Sequence, residues 1–284
     1  MEQLVLLEGL HAVKHVQRFG GRLLRVVTDD WDKALNAAAQ VDSEMIPWLA
    51  EHLERVPREQ FRAWASQPVP THVIGWADRP IHVLADLRPH PGQPAVLLDD
   101  PRNSKNLGAV IRVAAGVGAS GVMVNGDVDP CSVMAIRGAA GLQWALPTYA
   151  AGHLLRELGD WGIGKWGDPV GLASSSLREG SGSDVVDRKV EDGGQATRSA
   201  IPDQDSARPV LIALDADGAT FHPEEYVGQS VIFAFGSERV GLSAAVRQMA
   251  DRIVSLPMMA GVSSLNLATC VSAVLYLQRY AEER

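Results

Sequence analysis

At 284 residues the chain is long enough for two modest domains or one large one, and with 46% hydrophobic and 21% charged residues it can bury a substantial core. Its formal net charge of −8 excludes a global cationic field of the kind that gathers polyanions, so a nucleic-acid partner would have to be met by a local basic patch. No apolar run approaches the ~18 residues of a membrane span, and the first residues lack a charged-then-apolar leader. The two cysteines, Cys131 and Cys270, sit among small or apolar neighbours without partner spacing, so the pattern predicts a soluble cytoplasmic protein with two reduced, buried thiols.

Residues 1 to about 90 read as a small α/β unit. Leu4–Leu7 is a short strand, Gly9–Phe19 a helix and Leu23–Thr28 a second strand. Asp30 can cap a helix holding Ala34, Leu35 and Ala38, and further helical stretches run through Trp48, Leu49, Phe61 and Trp64. His72–Trp76 and Ile81–Leu84 return to strand character. His11 and His15 share a helix face and could hold a metal, but no third ligand has a matching spacing; surface or capping histidines are the preferred reading and no metal is expected. Leu87–Pro94, with three prolines and a glycine, reads as a linker to a second unit over 95–284.

In that unit Ala95–Asp100 is a buried-type strand ending in acids, and the loop Pro101–Asn106 leads into a helix over Leu107–Val117, closed by Gly118 or Gly121. Gly121–Asn125 is the next strand, and the strand–helix–strand order implies a parallel pair. Asn106 and Arg112, six residues apart, do not stack on one helix face: one lies at the N-terminal mouth, the other more than a turn inside. Among Ala, Val and Ile an arginine is costly to bury unpaired, so an ion pair to Asp99 or Asp100 is one reading of Arg112. Asp129–Ala140 is a predicted helix carrying Ser132 and Arg137. From about Gly167 to Arg208 the chain is rich in Gly, Ser, Asp and Arg and has no aromatic residue, which predicts a disordered insertion. Order resumes with a strand and a glycine turn over Pro209–Gly218.

The last fifty or so residues read as strand, loop, helix, strand, loop, helix, with glycine or serine wherever backbone must come close to something. Two tight loops at strand ends suggest a ligand site built largely from main-chain groups. No Gly-x-Gly-x-x-Gly follows an early strand, which argues against a dinucleotide-dependent dehydrogenase.

Three stretches carry a family resemblance. Asn106-Leu-Gly-Ala-Val-Ile-Arg112, Phe235-Gly-Ser-Glu-Arg-Val-Gly-Leu-Ser243 and Leu256-Pro-Met258 with Ser263-Ser-Leu-Asn266 resemble, in order, the three motifs of the SpoU (TrmH-type) RNA ribose 2′-O-methyltransferases of the knotted SPOUT superfamily. Leu7-Glu-Gly-Leu-His-Ala-Val13 is similar to the opening of the substrate-recognition domain common in that family. The resemblance implies an α/β fold: a C-terminal SPOUT domain with a deep trefoil knot around a mainly parallel sheet, and a small N-terminal α/β RNA-recognition domain. Nothing in periodicity suggests a knot.

The resemblance further implies S-adenosylmethionine as cofactor, tRNA or rRNA as substrate and a homodimer. Carried onto this chain, the cofactor-binding positions are Gly236, Leu256, Met258, Ser264 and Leu265, and the catalytic ones Asn106, Arg112, Glu238 and Asn266. Apolar walls and close backbone at these positions suit an adenosyl group, though a packed loop with core leucines would use the same residues. Arg112 is assigned in the family to activating the 2′-hydroxyl; a guanidinium is a poor base near neutral pH, so holding a phosphate and stabilising developing alkoxide is the easier role. Leu267, Val271, Val274, Leu275 and Leu277 point in several directions on the last helix, which implies burial on two sides and a dimer through Leu265–Tyr280. The rival reading is a SPOUT-fold RNA-binding protein without catalysis.

Overall fold

The computed structural model describes residues 3–163, 208–259, 261–262 and 264–284. The stretch predicted as an insertion lies outside these except for Arg208. The first residues form β1 (Leu4–Glu8), α1 (Leu10–Arg18), β2 (Leu23–Thr28), α2 (Trp31–Val41), α3 (Met45–His52), β3 (Leu53–Arg55), α4 (Arg58–Trp64) and β4 (Ile74–Asp78). Their sheet has the order β1-β4-β2-β3, with β4 antiparallel to both β1 and β2, and β3 parallel to β2. Asp30 caps α2 as its spacing suggests, its carboxylate accepting from the Lys33 amide at 3.2 Å. Leu10, Val13 and Val16 turn one stripe of α1 into the core, the three-residue spacing of a helix face.

The expected strand at Ile81–Leu84 does not form. Ile81 is 86% exposed, and a 3₁₀ turn over Leu84–Leu87 follows. Leu84 and Leu87 are both buried, and side chains three apart meet on one side of a turn where a strand would send them to opposite faces.

The second sheet is built from β5 (Ala95–Asp99), β6 (Gly121–Asn125), β7 (Thr148–Ala151), β8 (Val210–Thr220), β9 (Val231–Phe235) and β10 (Arg252–Ser255). Its order among the described residues is β10-β8-β9-β5-β6-β7, and every neighbouring pair is parallel. All five residues of β5 and of β9 are buried, which accounts for their uninterrupted apolar sequences. Val96 and Leu98 face one core; Ala95 and Leu97 face another, under Leu84, Leu87 and Leu154. Between these strands lie α5 (Ser104–Val117), α6 (Val133–Ala139), α7 (Leu154–Gly159) and α8 (Ala244–Met249), and α9 (Leu267–Glu282) follows β10; the glycine turn expected at Gly218 is not made, since β8 runs through it to Thr220. The predicted helix over Asp129–Ala140 is thus confined to Val133–Ala139, with Ser132 as its cap.

Two close approaches position the site. On α5, a Cβ at Gly108 would lie 2.4 Å from the Ala135 carbonyl and 2.8 Å from the Gly138 Cα, so α5 and α6 cross with their backbones nearly touching. On the other side of α5, α9 buries Leu267, Val271, Val274 and Leu275, leaving Tyr276, Leu277 and Tyr280 exposed. Along the sheet, the connection after β5 leads outward to β6 and then β7 on one side, while the connection after β9 leads the other way, past β8 to β10. The carboxyl ends of β5 and β9 therefore flank a switch point, where parallel sheets open a crevice.

Candidate functional site

Past the carboxyl ends of β9 and β10, and against the middle of β8 at Leu214–Ala216, lies a cavity of about 330 Å³, a volume suited to a small molecule. Its rim is made by the turn after β9. A Cβ on Gly236 would sit 2.1 Å from the Gly241 carbonyl carbon, so glycine is required there because the loop folds back on itself. Ser237 N donates to Gly241 O at 3.1 Å, and Gly241 N returns the bond at 2.9 Å. Ser243 then starts α8, its hydroxyl accepting from Val246 N. Underneath, the buried Asp99 at the end of β5 accepts from Ser243 N at 2.6 Å with one oxygen and from Asn125 Nδ2 at 2.8 Å with the other. One carboxylate thereby ties the loop to two neighbouring strand ends.

Beside the cavity a wider cleft of about 870 Å³ runs between the start of α5 and the same loop. Asn103 caps α5, its amide oxygen accepting from Lys105 N and Asn106 N. Asn106 Nδ2 donates to Glu238 Oε1 at 2.5 Å, across 132 residues of chain. Ser237, Glu238, Arg239 and Val240 wall both spaces, so cavity and cleft share a partition. Arg102, Lys105 and Arg239 on the cleft outnumber its one acid, Glu238, giving the acidic chain a local cationic surface.

Of the residues singled out from sequence, Gly236, Glu238, Leu256, Met258, Ser264 and Leu265 all line the cavity, and Asn106 lines the cleft. Asn266 lines neither: α9 starts at Leu267 rather than Leu265, and the Asn266 side chain caps it by accepting from Ala268 N and Thr269 N. Arg112 also lies outside both spaces, exposed on α5, and makes no hydrogen bond or ion pair among the described residues. The ion pair considered for it is not made, since Asp99 holds Ser243 and Asn125 while Asp100 pairs with Arg102. Arg112 is close enough to α1 to depress the pKa of His11 and His15, behind burial and Lys14 as causes. His15 Nδ1 meets the Ala140 carbonyl at 2.7 Å, and no cluster of three or more metal-ligating side chains occurs among the described residues.

Sequence reading missed Asp99 as a loop anchor, and it missed Asp215 and Arg247, which form an ion pair on the cavity wall. The signal was present in both acids, each placed where a buried strand runs out. Cys270 also borders the cavity, and burial pushes its thiol up to about 11; Cys131 is raised to about 11 by the same cause. Both thiols are unpaired, Cys131 buried and Cys270 half-buried.

A parallel α/β sheet thus carries a ligand-sized cavity at its strand ends, rimmed by a glycine turn. Residues 194–276 match the SpoU rRNA Methylase family. Over 240 residues the chain is 27% identical to a protein of Mycobacterium tuberculosis (strain ATCC 25177 / H37Ra) described as an uncharacterized tRNA/rRNA methyltransferase, covering 84% of this chain and 60% of that one. The chain thus spans less than two thirds of that relative's length. A 23S rRNA (uridine(2479)-2′-O)-methyltransferase of Streptomyces viridochromogenes is 25% identical over 242 residues, 82% of this chain and 71% of its own. The crystal structure of the SpoU methyltransferase AviRb from Streptomyces viridochromogenes in complex with AdoMet superposes with a TM-score of 0.68 at 19% identity, over 97% of this chain and 89% of that one. Over these stretches the chain is similar to SpoU methylases, the family its loop motifs resemble.

Proposed function

We propose that the chain is an S-adenosylmethionine-dependent methyltransferase acting on a ribose 2′-hydroxyl of tRNA or rRNA. The observation that carries this is the shared partition: a cavity sized for a cofactor and a cationic cleft suited to a polyanion meet at Ser237–Val240. The residues fit the cofactor. Leu256, Met258 and Leu265 offer apolar walls, while the backbone of the glycine turn and Ser264 offer hydrogen-bonding groups. S-adenosylmethionine, when bound, supplies the electrophilic methyl group.

This chain's own residues then do the positioning. Glu238 fixes the Asn106 amide at the partition, where an acceptor ribose has to lie against the cavity. Arg102, Lys105 and Arg239 hold the RNA backbone in the cleft, each as a charge-assisted donor to phosphate. Arg112, six residues and about 9 Å of rise beyond Asn106 on α5, meets a phosphate flanking the acceptor. Residues 1–90 serve as the RNA-recognition domain, and 95–284 form the knotted catalytic domain. The exposed strip of Tyr276, Leu277 and Tyr280 pairs two copies through α9 in a cytoplasmic homodimer.

Calorimetry with S-adenosylmethionine against NAD tests the cofactor, and mass-spectrometric mapping of ribose methylation in RNA treated with the protein tests the reaction. Methyl groups found on bases instead of ribose would refute the 2′-hydroxyl assignment. One observation favours a second reading, an RNA-binding protein that has lost catalysis: Arg112 lies outside both spaces. Cofactor binding without any methyl transfer on tRNA and rRNA would select that reading.

A further inference from the structure

We infer that the Asp215–Arg247 pair is the subsite for the α-amino-acid end of the cofactor, an inference that rests on the cofactor reading above. Asp215 follows Leu214, which pairs with Phe235, and Asp215 and Gly236, the residue after Phe235, both line the cavity. Its side chain is 10% exposed and both its oxygens are steered: one accepts from Arg247 Nη2, the other from the Asp217 amide at 3.2 Å. Arg247 reaches in from the first turns of α8 with a side chain 39% exposed. Its guanidinium carries five N–H donors, and Asp215 is its one ionic partner among the described residues.

With Arg247 partly exposed, the pair contributes only modestly to folding. As a receptor it is chemically specific. A zwitterion presents an ammonium group and a carboxylate side by side, and an Asp–Arg pair presents the complementary charges side by side. The ammonium meets the remaining lone pairs of Asp215, and the carboxylate meets the free edge of Arg247. The other charged groups on the wall are less suited. Glu238 is committed to Asn106 and Arg239 stands exposed at the lip shared with the cleft. Apolar Leu256, Met258 and Leu265 take the adenosine, leaving this pair as the fixed polar end.

The test compares two ligands by calorimetry on the full chain. S-adenosylhomocysteine carries the amino-acid end; 5′-methylthioadenosine keeps the adenosine and thioether but ends in a methyl group. Arg247→Gln, at a partly exposed position, is expected to weaken S-adenosylhomocysteine roughly tenfold or more, the scale of losing a charge-assisted contact, and to leave methylthioadenosine within about twofold. Asp215→Asn, which keeps the side-chain shape, is expected to give the same split. Equal losses for both ligands would place the pair under the adenosine or in the loop's folding and overturn the inference, as would unchanged affinity for both. If the unaltered chain bound neither ligand, the cofactor reading would fall first and the subsite with it.

Discussion

Asp99→Ala removes the carboxylate that holds the glycine turn to the sheet. Two bonds are lost, from Ser243 N at 2.6 Å and from Asn125 Nδ2 at 2.8 Å, and the buried site lets little water replace them. A hydrogen bond to a charged group contributes roughly 1.5–3 kcal/mol, and because both end on one carboxylate they do not simply add, so a loss of about 3 kcal/mol is expected. For a chain of this size that corresponds to a fall of about 6 °C in melting temperature. The site responds more sharply than the fold. With Ser243 untethered, the turn from Gly236 to Leu242 loses its anchor, and S-adenosylmethionine affinity should fall about tenfold or more on calorimetry. Asp99→Asn separates the two contacts: its amide keeps one acceptor but turns a donor toward the other N–H, so it should fall between wild type and alanine. If Asp99→Ala melted within about a degree of wild type and bound cofactor normally, the anchor role would be refuted.

Four further outcomes are expected. Arg112→Ala, exposed and without an ion pair among the described residues, should leave melting and cofactor affinity unchanged while methyl transfer falls about a hundredfold; a normal transfer rate removes Arg112 from the mechanism. Tyr276→Glu with Tyr280→Glu should yield a monomer by light scattering, whereas a monomeric wild-type chain at micromolar concentration would refute the dimer. Neither Cys131 nor Cys270 should react with iodoacetamide at pH 7.5 until the chain is denatured, because burial raises both thiols to about 11. His11 and His15 have folded pKa values below the ordinary 6.5, through burial first and then, for His11, Lys14. The unfolded chain therefore binds more protons below pH 6.5, so their contribution is complete above that value and declines as pH falls through it. Denaturant midpoints from pH 7.5 to 5.5 should drop less in a His11→Gln, His15→Gln variant than in wild type.

Local chemistry made much of this legible. The apolar runs at Ala95–Asp99 and Val231–Phe235 announce buried parallel strands, and glycine and serine after them announce the loops that wall the cavity. What sequence did not disclose depends on distance along the chain. Asp99 reads as an acid ending a strand, and its partner Ser243 lies 144 residues away. Arg112 reads as buried because its neighbours Ile111 and Ala114 are, but it lies on the exposed side of the same helix. Asn266 reads as a cavity residue because it belongs to a motif with Leu265, but a turn that starts a helix needs its side chain for the backbone. The three-residue β3 leaves too short a pattern to recognise, and its partner β2 lies about 25 residues earlier in the chain.

The join between the two sheets bears on how the protein could be taken apart. Cys131, Ile136 and Trp144 pack into the core formed by Leu7, Leu10, Val13 and Val16, and Gly141 lies so near α1 that a Cβ there would fall 2.8 Å from the Ala12 carbonyl. Arg137 on α6 reaches the fully buried Glu8 carboxylate at 3.2 Å, and Arg79 grips Asp129 with two bonds of 2.9 and 2.6 Å. The proline-rich segment near residue 90 is where the chain crosses over, but it is not where the packing divides. Scissors applied there would strip an oily surface bare on both fragments. And because α6 meets α5 at Gly108, about one turn from its start, the side chains that tie α6 to the first sheet are coupled, backbone against backbone, to the turn that carries Asn106.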